Sequence, residues 1–163
     1  MTETASRRNI IAAVVLAALG YFVDIYDLIL FSIVRVPSLK GLGVPDAQLL
    51  NQGVRLLDWQ MAGMLLGGLV WGILGDKKGR LSVLFGSIAM YSAANIANGF
   101  VHGIPAYAVW RFVAGLGLAG ELGAGITLVC ELMPAETRGY GTMAVAGVGI
   151  VGGVAAGLVG DFF

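Results

Sequence analysis

Two aspartates, Asp24 and Asp27, lie three residues apart inside one long apolar run, and Arg111 lies inside another. Residues three apart share neighbouring faces of one helix turn. A carboxylate in hydrocarbon costs at least about 2.5–3.5 kcal/mol on insertion scales, so such a group faces a cavity or a partner and marks function. Asp27 precedes the end of its run at Val34, and Arg111 follows the start of its own at Ile104, by the same number of residues. At 1.5 Å per residue both lie about 10 Å inside one boundary. An Asp27–Arg111 or Asp24–Arg111 ion pair is therefore expected. A proton taken up by the aspartate would break such a pair and let two helices rearrange, since burial favours the neutral acid and a nearby guanidinium favours the charged one. The alternative is a permanent pair that fixes helix packing. Glu121 lies about 15 Å further along than Arg111, near mid-membrane. It is expected to line a solute cavity, to act as a second proton site, or to stay a neutral acid bonded to a neighbouring helix.

The elements that must carry these residues follow from composition. Of 163 residues, 58% are hydrophobic and 12% are charged, about half the charged share of soluble domains. A folded domain of about 150 residues still exposes roughly 30% of its unfolded surface, so a water-soluble fold is excluded and the solvent is lipid. Ten basic and ten acidic residues balance, which leaves no net field for nucleic acid. One Cys and one His cannot build a disulfide or a zinc site within the chain. No cofactor and no enzyme activity is expected, because no nucleophile stands with a base.

A bilayer core of about 30 Å needs about 20 apolar helical residues, and five runs qualify, at 9–34, 56–75, 81–101, 104–130 and 141–163. The fold class is an all-α polytopic membrane protein. Connectors are marked by Pro37, Lys40, Pro45 and Asp46, by Asp76 to Arg80, by His102 and Gly103, and by Pro134 to Arg138. The later connectors are short, so successive helices are antiparallel neighbours. With the N terminus in the cytoplasm, the inner segments carry Arg7, Arg8, Lys77, Lys78, Arg80 and Arg138, against Arg35, Lys40 and Arg55 outside. The positive-inside rule favours that orientation, in a cytoplasmic (inner) cell membrane. Ser6-Arg7-Arg8-Asn9 before an apolar run has the form of a twin-arginine export signal, but the run is too long and holds carboxylates, so it is the first membrane helix.

The stretch Gly72-Ile73-Leu74-Gly75-Asp76-Lys77-Lys78-Gly79-Arg80 needs glycine for a tight turn and must lie at the membrane surface. It resembles the signature loop between the second and third helices of the major facilitator superfamily, with Leu81 where a further basic residue is common. Arg111 to Glu121, an arginine followed by spaced glycines, is similar to the fourth-helix pattern of that family. Glu131-Leu132-Met133-Pro134-Ala135-Glu136-Thr137-Arg138-Gly139 resembles its junction between helices four and five. The three motifs fall in the family's order and together span the chain.

The resemblance implies part of the N-terminal half of a twelve-helix transporter built from inverted repeats, with solute bound near the midplane between two halves. A sixth helix and the C-terminal half are expected outside this sequence, whether the chain is a fragment or a short product. The implied function is secondary active transport of a small organic solute, with proton symport by alternating access. The alternatives are a uniporter, an antiporter, or a half-size membrane subunit that assembles with a partner half. Sugar porters of the family oppose a first-helix aspartate to a fourth-helix arginine, which supports Asp24 or Asp27 with Arg111 as a proton-coupling site. Glu121 after the glycines resembles the metabolite:proton symporters. Asp76, Arg80, Glu131 and Arg138 are expected at the cytoplasmic face, with Arg80–Glu131 as a gating pair in a charge cluster. The implied partners are the solute, protons, the lipid bilayer and the rest of the transporter.

Other signals are weaker. Gly115 to Gly120 and Gly147 to Gly152 both read G-x-G-x-x-G, but neither follows a strand, opens a helix and precedes an acidic residue at the required distance. The fifth run holds no proline, unlike the family's drug antiporters, which tilts the reading toward symport or uniport. Gly63–Gly67, Gly68–Gly72 and Gly153–Gly157 have the spacing of close helix contacts. Tyr21, Tyr26, Trp59 and Gln60 are candidate solute contacts, with Trp59 more in keeping with an interfacial anchor. His102 is expected to be exposed and inert.

Overall fold

The structure is a computed structural model that describes residues 3–160. Five helices follow one another, α1 Glu3–Gly41, α2 Asp46–Lys78, α3 Arg80–Asn98, α4 Ile104–Leu132 and α5 Arg138–Gly160. All five are long and apolar enough to cross a membrane, and no strand occurs among the described residues. Helix satisfies every backbone N–H and C=O within one segment, which is what hydrocarbon requires.

The helices outrun the apolar runs that encode them. α1 continues past Val34, through Pro37, to Gly41, and α2 begins at Asp46, well before Leu56. The first connector is thus the four residues 42–45 and not the whole of 35–55. Apolarity marks where a helix meets lipid, but backbone bonding continues into the polar zone. Leu39 is fully buried and Val44 nearly so, both in a cluster with Phe31, Leu49, Leu56 and Tyr107. That cluster anchors the α1–α2 turn, and Lys40 pairs with Asp46 across it at 3.1 Å.

The second connector is a single residue. Asp76 to Lys78 end α2, Arg80 opens α3, and Gly79 alone reverses the chain at φ 86° and ψ 147°. A side chain disfavours that backbone region, so glycine is required there. At the far ends, α3 stops at Asn98, short of Val101, and α4 runs to Leu132. α5 starts at Arg138, before Gly141, while 161–163, the expected end of the fifth run, lie outside the described residues.

α4 is the hub. It packs most extensively on α2 and α3 and also on α1, whereas α5 packs mainly on α1. The α2–α4 contact is backbone on backbone: Gly63 and Gly67 lie against the main chain at Phe112 and Leu116, and Gly115 against the Gln60 carbonyl. Of the three glycine pairs, only Gly63–Gly67 works in this way at both positions. Gly68 and Gly72 have open space where a Cβ would be, and so does Gly157. Most large apolar residues on the outer faces, such as Leu65, Leu69, Ile150 and Leu158, are exposed, as a lipid-facing surface demands.

Candidate functional site

The α2–α4 glycine contact brings Gln60 beside Arg111, and the α1–α4 contact brings Asp27 to the same guanidinium. Arg111 Nη1 lies 3.5 Å from Asp27 Oδ2 and donates at 3.5 Å to Gln60 Oε1. Arg111 is 6% exposed and Gln60 1%. From α3, Asn95 Nδ2 donates to Asp27 Oδ1 at 3.5 Å, and Tyr91, one turn earlier on that helix, is buried next to the same carboxylate. Four helices thus each supply a polar group to one buried centre.

Of the two aspartates, Asp27 takes the arginine and Asp24 does not. Asp24 is fully buried, and neither carboxyl oxygen has a hydrogen-bond partner. Its charged neighbours are Asp27 and Glu121. Glu121 is also buried, and its carboxyl lies against Gly20, one turn before Asp24. Among the described residues, the centre therefore has one paired acid and, deeper in the bundle, two acids with no cation within ion-pair distance. The rotation of α1 decides this, because depth along the helix admitted either aspartate.

Arg111 is held on its other side by aromatic rings. Its guanidinium carbon lies 3.7 Å from the Phe31 ring centroid and 5.9 Å from that of Tyr107. Sequence reasoning missed Phe31, Tyr91, Asn95 and Tyr107. Asn95 alone gave a signal, as an amide inside an apolar run; the aromatics looked like ordinary core. Gln60 joins the centre as a candidate contact. Tyr21 instead packs on Gly149 of α5, Tyr26 stacks with Phe22 at 6.4 Å, and Trp59 stays half-exposed, edge-on to Phe112.

A second cluster stands at the Gly79 end. Arg80 Nη2 pairs with Asp76 Oδ1 at 2.8 Å, and Arg80 Nε with Glu131 Oε1 at 3.4 Å. Arg138 stays outside it and donates to the Met133 carbonyl at 3.5 Å. Beside the cluster, α2, α3 and α4 enclose a cavity of about 130 Å³ lined by Trp71, Gly72, Arg80, Gly120 and Thr127. Trp71 Nε1 donates to the Leu116 carbonyl at 2.7 Å. Among the described residues no three His, Cys, Asp or Glu side chains gather as a metal site.

The family model described as "Major Facilitator Superfamily" matches residues 10–163. A protein of Haemophilus influenzae with a metabolite-transport name is 32% identical over 143 residues, covering 86% of this chain and 34% of that protein. The low affinity inorganic phosphate transporter 4 of Lotus japonicus is 32% identical over 163 residues, covering 91% and 30%. The niacin transporter NiaP of Acinetobacter baylyi is 40% identical over 77 residues, covering 47% and 18%. The chain spans about a third or less of these relatives' lengths. No solved structure matches it.

Proposed function

The chain belongs to the major facilitator superfamily, and from that premise we propose that it forms part of the N-terminal half of a multi-pass secondary transporter that moves a small solute by proton symport. The observation that carries the reading is the buried Asp27–Arg111 pair, because a carboxylate held at 3.5 Å by a cation in hydrocarbon is a place where one proton changes the interaction between two helices. Asp27 is the proton-coupling residue, Arg111 its counter-ion, and Asp24 and Glu121 are deeper acids on the solute side. Further helices and an opposing half complete the solute cavity, in the family's manner.

Phosphate and niacin, the solutes in two relatives' names, are anions at neutral pH. An anion entering a cell with a negative interior moves against the membrane potential, at about 2.3 kcal/mol per charge per 100 mV, so accumulation needs a coupling ion. A small anionic metabolite with one or more protons is the solute class this favours. The excess of Lys and Arg at the Gly79 end supports an orientation in the cell membrane with that end and the N terminus on the cytoplasmic side. Arg80, Asp76 and Glu131 then form a cytoplasmic latch whose closure stabilises one of two conformations.

The test is uptake of phosphate and of niacin into vesicles holding the transporter that contains this segment, with and without an inward proton gradient. Asp27→Asn should abolish gradient-driven accumulation while leaving exchange of labelled for unlabelled solute. Unchanged gradient-driven accumulation in that variant makes the pair a permanent packing device and moves proton coupling to another group, whereas wild-type uptake that the inward gradient does not drive leaves uniport or antiport as the activity.

A further inference from the structure

We propose that Phe31 and Tyr107 form a fixed aromatic seat that keeps the Arg111 charge in place when Asp27 gains its proton, so that the aspartate and not the arginine is the part that moves. The inference rests on Asp27 as the proton-coupling residue and adds the device that makes its protonation affordable inside the bundle.

Phe31 lies one turn beyond Asp27 on α1, and Tyr107 one turn before Arg111 on α4, so both rings stand immediately to one side of the ion pair. The two rings meet edge to face, with centroids 6.1 Å apart at 80°. Each is nearly fully buried, in the same cluster as Leu39, Val44, Leu49 and Leu56. Packing against the short α1–α2 turn fixes both rings. The guanidinium carbon sits 3.7 Å from the Phe31 centroid, well within the roughly 6 Å over which a ring face attracts a cation. The two sides of the pair are held differently. Asp27 has polar neighbours alone, Arg111 and Asn95 at 3.5 Å with Tyr91 beside it, and its Oδ2, like Arg111 Nε, has no aligned hydrogen bond, whereas Arg111 also has the ring face.

Arginine keeps its proton at any physiological pH. Once Asp27 is neutral, Arg111 is a buried cation whose remaining partners are the Phe31 face, the more distant Tyr107 ring and the Gln60 carbonyl oxygen at 3.5 Å. A ring face counts for most when no anion shares the charge. The seat therefore favours the protonated Asp27 state, by at most about 30-fold in equilibrium, the full strength of a desolvated contact. The other titratable groups facing the centre are Asp24 on α1, Tyr91 on α3 and Glu121 on α4. From α2 comes the uncharged Gln60, and α5 has no charged residue between Gly141 and Gly160.

The experiment is an infrared titration of the purified, solute-free transporter in lipid discs, with the Asp27 carboxyl band identified as the one lost in Asp27→Asn. Phe31 is replaced by phenylalanines with one, two and three ring fluorines, which weaken the ring face at nearly constant shape, and by Leu in a separate variant. The Asp27 midpoint should fall stepwise with fluorine number, by about half to one pH unit over the series, with Phe31→Leu at or beyond the end of it. A midpoint that stays put or rises across the fluorinated series overturns the seat, while loss of the band in Asp27→Asn still upholds the proton site. If Asp27→Asn removes no titrating band, the proton site fails and the seat with it. Should Phe31→Leu not fold, the fluorinated series decides alone.

Discussion

Gly63 of α2 and Phe112 of α4 touch through main chain: a methyl group at 63 would overlap the Phe112 carbonyl. This contact sets how closely α2 approaches α4, and with it whether Gln60 can reach Arg111.

Gly63→Ala should therefore separate the two helices. Overpacking of this kind costs about 1–3 kcal/mol, read as a lower unfolding temperature of the detergent-solubilised transporter. Gly68→Ala, one turn on, meets open space and should leave stability unchanged or slightly raised, since Ala is the better helix former. Equal losses at both positions would sink the argument.

Trp71 ties the same two helices by a different bond, from its indole N–H to the Leu116 carbonyl at 2.7 Å. Trp71→Phe keeps most of the ring and removes the donor. The expected loss is about 0.6 kcal/mol, the average for interhelical hydrogen bonds in a membrane, and thermal unfolding in lipid measures it.

The Arg80 cluster should behave in the opposite way, with little effect on stability and a larger one on conformation. Glu131 is about half-exposed, and exposed pairs contribute about 0–1 kcal/mol, screened by salt. Glu131→Gln should leave the unfolding temperature nearly unchanged. It should also increase labelling of a cysteine placed on the Gly79 side of the cavity, and high salt should produce a similar increase in the wild type.

Arg111→Met and Asp24→Asn separate the paired acid from the unpaired one. Removing the cation leaves Asp27 buried without its counter-ion, at a cost of up to about 3–5 kcal/mol. That cost applies to the ionised carboxylate, so the variant should approach wild-type stability as pH falls and Asp27 takes a proton. Asp24 has no cation to lose, and Asp24→Asn should stay within about 1 kcal/mol of wild type. Unfolding curves across pH for both variants check the sign.

Much of this molecule could be read from the chain. A bilayer forces helices and forbids most buried charges, so five apolar runs and a few intramembrane ionisable residues were conspicuous in advance. The Arg80–Glu131 pair followed from the family resemblance together with the position of its residues at two helix ends. Helix limits were read less well, because apolarity ends where lipid ends and hydrogen-bonded helix does not; α1 and α2 run on to within four residues of each other.

Depth is a property of sequence, since each helical residue adds about 1.5 Å; that determined that Asp24 and Asp27 lie near the level of Arg111. Azimuth is not. Only the packed bundle decided that Asp27 faces Arg111 while Asp24 points to Glu121, and that Phe31 and Tyr107 close over the guanidinium. A helix's rotation about its axis is set by its neighbours, here by glycines that let α2 and α4 touch through their backbones, and no single run of residues contains that information.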